Sequence, residues 1–213
     1  MPQGRAACLN GEGEFSPARH LRWSGRKEIT DVTKNIKVGI IGAGAIGSIH
    51  AQAFEAIGNK AAALSDPVEA VLAAKSKRHG IDTTYRDWHD LLVDDSIDAV
   101  VIGAPNKFHK EIAVAALNAG KHVLLEKPMA LNADEAAAIV EAEKASGKIL
   151  QIGMRQRHVP RHLKLREWAQ QGRLGKIYHT RVLYLRRRAI PGLGGWFTTE
   201  AMSAGGAPPG HLD

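Results

Sequence analysis

Gly42, Gly44 and Gly47 form the pattern G-x-G-x-x-G in the stretch GAGAIG, directly after the apolar run IKVGII. A glycine turn between a strand and a helix presents main-chain N–H groups and the positive helix end to an anion. The spacing assigns each glycine a task. Gly42 permits the tight turn, Gly44 lets the backbone approach a pyrophosphate, and Gly47 lets helix and strand pack closely. Ala45 and Ile46 open the helix and belong to the same candidate site.

Asp66 lies 19 residues beyond Gly47, at the end of the next strand candidate. A carboxylate there accepts hydrogen bonds from an adenosine ribose and repels a 2′-phosphate. No arginine follows it directly, which favours NAD over NADP. The same carboxylate could instead cap the helix after Pro67. Two further clusters stand at strand ends. In APNKFH (104–109), Pro105 ends the ladder and Asn106 offers an amide to a ribose, with His109 nearby; an ordinary Pro-Asn turn explains these residues equally well. In LLEKPM (124–129), Pro128 stops the pairing, so Glu126 and Lys127 project at the strand end. Lys127 there could hydrogen-bond a substrate hydroxyl and help move its proton; the alternative is a solvated Glu-Lys pair at a turn.

These residues need elements that bring strand ends together. AIGSIHAQAFEAIG has helical spacing, with Ile46, Ile49, Ala53, Phe54 and Ile57 predicted on one buried face. KAAALSD is a strand, and PVEAVLAAKSKRHG a helix with Pro67 in its first turn and Gly80 at its stop. TTYRD, IDAVVIGAP, KHVLLEKP and KILQIGM are further strands; WHDLLVD, KFHKEIAVAALNAG and NADEAAAIVEAEKASG are the helices between them. Strand and helix alternate about six times with short connections, which predicts a doubly wound α/β fold with a parallel sheet. With the glycine fingerprint this is a Rossmann domain over 36–153. Residues 1–35 lack apolar periodicity and are expected to be disordered or extraneous to the fold. From 154 to 213 the style changes: VPRHLKLREWAQQG is a helix and KIYHTRVLYLRRR a long strand of a different sheet. This predicts the beginning of an incomplete α+β substrate domain.

Composition narrows the class. The 213 residues are 44% hydrophobic and 24% charged, as in globular proteins. One cysteine, Cys8, excludes an intrachain disulfide and fits a reducing, cytoplasmic compartment. No apolar run is long enough to span a membrane. The net charge of +7 is local: residues 155–188 hold 11 basic side chains against Glu167 alone. Such a patch can bind a nucleic-acid backbone, but no nucleic-acid motif accompanies it, and acidic groups elsewhere in the fold, or in a part of the protein beyond this sequence, are the favoured partners. His158 and His162 lack a clear third ligand, so no metal site is expected.

VGIIGAGAIG, IDAVVIGAPNKFHKEIAVAALNAGKHVLLEKPMAL and LQIGMRQRHVP together resemble the Gfo/Idh/MocA family, the glucose–fructose oxidoreductase and inositol dehydrogenase group. The likeness runs from about Asn35 to Trp196. It implies NAD(P)-dependent hydride transfer to or from a sugar, polyol or related hydroxy or carbonyl compound. Lys127 falls on the family's active-site lysine; Asn106, His109 and Glu126 fall on positions lining the dinucleotide, and Arg157 on an arginine near nicotinamide and substrate. Ala104 replaces a commoner threonine. The resemblance also implies a much longer chain, truncated here, whose second domain often forms a homo-oligomer interface. The family's Gly-Gly-Gly and Asp-x-Gly-x-His element has its counterpart in GGAPPGHLD. His211 is the candidate proton relay, but Ala207 stands in the aspartate's place and Gly210 directly precedes the histidine. A dinucleotide-binding fragment without turnover is therefore the alternative function, with nucleic-acid binding through 155–188 behind it.

Overall fold

The structure, a computed structural model, describes residues 36–183, 185 and 195–203, together with two short strands near the N-terminus. The chain divides into two units, residues 1–35 and 36–213. In the first, β1 (Cys8–Leu9) and β2 (Phe15–Ser16) pair antiparallel, Cys8 opposite Ser16. The sequence predicts no structure there. A ladder of two residues rests on main-chain groups and leaves no periodicity to read.

The second unit alternates β3 (Val38–Ile41), α1 (Ala45–Ala56), β4 (Ala63–Ser65), α2 (Glu69–His79), β5 (Thr83–Tyr85) and α3 (Trp88–Leu92). It continues with β6 (Ala99–Ile102), α4 (His109–Asn118), β7 (His122–Leu125), α5 (Ala133–Ser146) and β8 (Leu150–Ile152). The six strands form one parallel sheet in the order β5-β4-β3-β6-β7-β8. Successive β3 residues serve opposite faces. Ile40 packs with Ala51, Leu64, Leu72 and Val101, under α1 and α2; Ile41 packs with Ile102, Ile112, Leu117, Leu125 and Ile139, under α4 and α5. The chain order reverses between β3 and β6, which opens a crevice at their carboxyl ends.

Local chemistry sets the boundaries. Gly80 and Gly147 end α2 and α5 in the left-handed conformation, at φ +60° and +64°. The Asn132 side chain caps α5 by accepting from the Glu135 N–H. Pro67 precedes Val68, the N-cap of α2, and so lies outside the first turn in which the sequence places it.

The buried face of α1 is also not the predicted one. Gly47, Ser48 and Ala51 are buried, whereas Ile49 and Ile57 are 57% and 75% exposed. The close approach at Gly47 selects the small-residue face, because a branched side chain there would hold helix and strand apart.

Beyond β8, a short turn (Arg155–His158) leads into the helix the sequence predicts, α6 (Pro160–Gln170), which has proline in its first turn. The predicted strand over 176–188 is absent from its described part. Residues 176–183 carry no regular element, and Tyr178 and Leu185 are 92% and 89% exposed. Alternating side chains suit a sheet face, but a strand also needs a neighbour for its N–H and C=O groups, and none of the described segments pairs with it. Tyr184 and Arg186 to Arg188 lie outside the described residues. Arg155, Arg161, Arg166, Arg173 and Arg181 are exposed, so the acidic surface expected to meet them is not found among the described residues. A turn at Trp196–Thr198 leads into the short α7 (Glu200–Ser203).

Candidate dinucleotide and active site

The glycine turn joins β3 to α1 at the crevice. Gly42 has φ +91°, which side-chain-bearing residues rarely adopt, and a Cβ on it would come within 2.8 Å of the Gly103–Ala104 backbone. A Cβ on Gly47 would collide with the carbonyl oxygen of Gly42. Gly44 differs: nothing lies within 4 Å of the place its Cβ would take, so the turn faces open space there. Gly44 is the N-cap of α1, no side chain caps the helix, and its first turn holds no acidic residue. Ala45 and Ile46 begin that turn. An uncapped, acid-free helix start behind an open glycine turn fits a pyrophosphate.

Asp66 follows β4 and grips this turn. One carboxylate oxygen accepts from the Ala43 N–H at 2.9 Å, the other from the Val68 N–H at 2.9 Å. The second bond orders the entry to α2, close to the capping alternative read from the sequence. The carboxylate keeps free lone pairs beyond these two bonds, enough to accept from a ribose as well.

The cluster after β6 is less open than the sequence suggests. Pro105 starts a one-turn helix over Asn106–Phe108, and its carbonyl accepts from the Phe108 N–H at 2.9 Å. Asn106 is buried, and its amide donates to the Ser203 carbonyl of α7 at 2.8 Å. Its donor therefore holds protein main chain where a ribose or amide contact was expected. His109 is 0% exposed, so its ring does not line the crevice. Its Nδ1 and Nε2 lie 2.7 and 2.9 Å from the carbonyl oxygens of Pro128 and Ala104. The ring thus staples the turn after β6 to the turn after β7.

That second turn carries Glu126 and Lys127; the Lys127–Pro128 peptide is cis. Lys127 is exposed at the strand end, where the sequence places it. Glu126 is half-buried and meets a residue the sequence reading missed: Nε2 of His50, on α1, donates to its Oε1 at 2.9 Å. That bond is the largest cause holding the Glu126 carboxyl below the usual carboxylate range, with burial acting against it. The available signal was spacing, since His50 lies one turn beyond Gly47 on the face that turns toward the sheet. Arg157 lies on the turn after β8 and, with Gln156, His162 and Arg166, lines an open, basic cleft. His211 lies outside the described residues.

The comparisons with known proteins agree with this geometry. The family described as "Oxidoreductase family, NAD-binding Rossmann fold" (Gfo/Idh/MocA) matches residues 36–154. The inositol 2-dehydrogenase of Salmonella typhimurium is 37% identical over 145 residues, 66% of this chain and 43% of that enzyme. The crystal structure of a probable dehydrogenase from Thermotoga maritima superposes with a TM-score of 0.63 at 33% identity, covering 66% of this chain and 43% of that one. A levoglucosan dehydrogenase solved with NADH and levoglucosan superposes with a TM-score of 0.63 at 28% identity, covering 67% of this chain and 41% of that one. The chain thus spans less than half the length of these relatives. Over the sheet, the glycine turn and the β7 turn, it belongs to the Gfo/Idh/MocA oxidoreductase family.

Proposed function

We propose that residues 36–153 form a domain that binds NAD and supplies the cofactor half of an oxidoreductase acting on a sugar, polyol or related hydroxy compound. The glycine turn carries the reading: it is open at Gly44, closed at Gly42 and Gly47, and clamped to Asp66. The N–H groups at the start of α1 receive the pyrophosphate. Asp66 accepts from the adenosine ribose, and its charge disfavours a 2′-phosphate, so NAD is preferred over NADP. Pro105 and the backbone of its turn, with Glu126, are assigned to the nicotinamide side, and Arg157, on the turn after β8, is the candidate contact near nicotinamide and substrate.

Bound NAD supplies the hydride acceptor. Lys127 orients the substrate oxygen and takes part in moving its proton, work that general acid–base groups contribute at about 10²–10⁴-fold. His211 is the candidate relay for that proton. The names of the relatives, inositol 2-dehydrogenase and levoglucosan dehydrogenase, support a polyhydroxylated substrate. We read the basic segment 155–188 as serving neither a nucleic acid nor a membrane. Among the described residues no helix is long and apolar enough to cross a bilayer. We place the protein in the cytoplasm, as a homo-oligomer when a complete second domain is present.

Turnover tests this reading. The full chain is mixed with NAD and myo-inositol, levoglucosan or glucose, and NADH formation is followed by absorbance. Oxidation of any of them that Lys127→Met abolishes supports the oxidoreductase. NADH binding with no turnover on all three leaves a dinucleotide-binding chain without catalysis. DNA binding that weakens steeply with salt would move the function to the basic segment.

A further inference from the structure

The Glu126 carboxylate is approached from three directions. From α1, His50 donates to Oε1 at 2.9 Å, and with a carboxylate as acceptor Nε2 must carry the proton. From its own turn, the Lys127 N–H donates to Oε2 at 3.2 Å. From the end of β8, Gly153 lies so close that a Cβ on it would be 3.0 Å from Oε1. Gly153 is itself pinned, its N–H donating to the Leu125 carbonyl at 2.7 Å. His50 and Glu126 are each shielded, with side chains 17% and 19% exposed. A hydrogen bond to a charged group in such a place is worth more than one on an open surface.

His50 therefore ties two halves of the crevice. It belongs to the helix that begins at the glycine turn, whereas Glu126 belongs to the turn that presents Lys127. These elements come from strands on opposite sides of the chain reversal, β3 and β7, and β6 lies between them. His109 joins the β6 and β7 turns from within the core. His50 alone, among the described hydrogen bonds, joins an α1 side chain to the Lys127 turn.

We infer that His50 is a positioning residue of the nicotinamide end. By holding Glu126 against α1 it fixes the 126–128 turn, and with it Lys127, relative to the pyrophosphate site. The inference rests on the cofactor reading above. Loss of the bond loosens the nicotinamide end and leaves the adenosine and diphosphate end intact, since among the described residues no side-chain hydrogen bond of His50 reaches Asp66 or the glycine turn.

The test compares NADH with ADP, which carries the adenosine and diphosphate but neither nicotinamide nor its ribose. Both affinities are measured on the full chain by calorimetry. His50→Leu is expected to weaken NADH about tenfold, the worth of one hydrogen bond to a charged group. ADP should stay within about twofold, as for a substitution remote from its contacts. His50→Gln keeps an N–H donor and recovers part of the NADH affinity. Gly153→Ala presses on the same carboxylate from β8 and gives the same split, so the inference does not hang on one variant. Equal losses for both ligands, or an unchanged NADH affinity in His50→Leu, would overturn it. A wild-type chain that binds neither ligand removes the cofactor reading itself. A wild-type chain that binds both, with variants lacking the split, removes only the role of His50.

Discussion

At the scale of single residues, the three glycines differ in what a methyl group would do. Gly47→Ala places a Cβ into the Gly42 carbonyl and forces α1 away from β3. The expected loss is about 3 kcal/mol, the upper end for overpacked sites, because the clash is with main chain; it is read from urea unfolding. Gly44→Ala meets nothing within 4 Å. It should fold within about 1 kcal/mol of wild type yet lose NADH affinity, because the methyl group occupies the phosphate's approach. Equal stability losses in the two variants would contradict this division.

Glu126 carries a pH dependence with a defined sign. Its folded-state pKa is lowered, chiefly by the hydrogen bond from His50. The stability it contributes is therefore complete above the ordinary carboxylate range and lost as pH falls through that range toward the lowered folded value. His50→Leu removes the main cause and leaves burial, which raises the pKa, against the smaller lowering by Lys127. The Glu126 carboxyl-carbon NMR shift should then titrate at higher pH than in wild type; an unchanged midpoint would show that His50 does not hold the charge. The glycines and Asp66 were legible in the sequence because turn geometry restricts residue type and spacing. The partners of His50, Asn106 and His109 were not, since they lie 76, 97 and 19 residues away and two of the three are main-chain carbonyls that no pattern marks.

At the scale of elements, α1 and α2 are joined by a polar chain buried at His79 and Ser48 and open at Glu55. The Glu55 carboxylate lies 2.9 Å from His79 Nδ1 and fixes the proton there. Nε2 then accepts from the Ser48 hydroxyl at 2.7 Å, and Lys75 donates to that hydroxyl at 3.3 Å. His79→Leu removes the centre of this chain and takes the 2.7 Å partner from the buried Ser48 hydroxyl, leaving the longer bond from Lys75. The expected destabilisation is about 1–3 kcal/mol, measured by urea unfolding, with ADP affinity retained. No measurable loss would mean that the network adds nothing to the packing of α1 on α2. Element type and order were legible from Val38 to Ile152, where the central strands β3, β6 and β7 are apolar runs and the longer helices end at glycine or start at Asn132. The face of α1 was not, because its isoleucine stripe has the right period and is still outcompeted by the small residues that let the helix approach the sheet.

At the scale of the whole molecule, the described residues contain one parallel sheet with a crevice at its chain reversal and a basic, largely exposed segment beyond it. The change of style after Met154 was legible as a change of charge and spacing. The absence of a strand in the described part of 176–188 was not, since pairing depends on a neighbour that the segment's own residues cannot reveal. The central claim is that the crevice is an NAD site in its own right. Calorimetric titration of the full chain with NADH and NADPH tests it most directly. Saturable binding of one NADH per chain is expected, tighter than NADPH, with Asp66→Ala narrowing the difference. A folded chain that shows no saturable binding of NADH would contradict it.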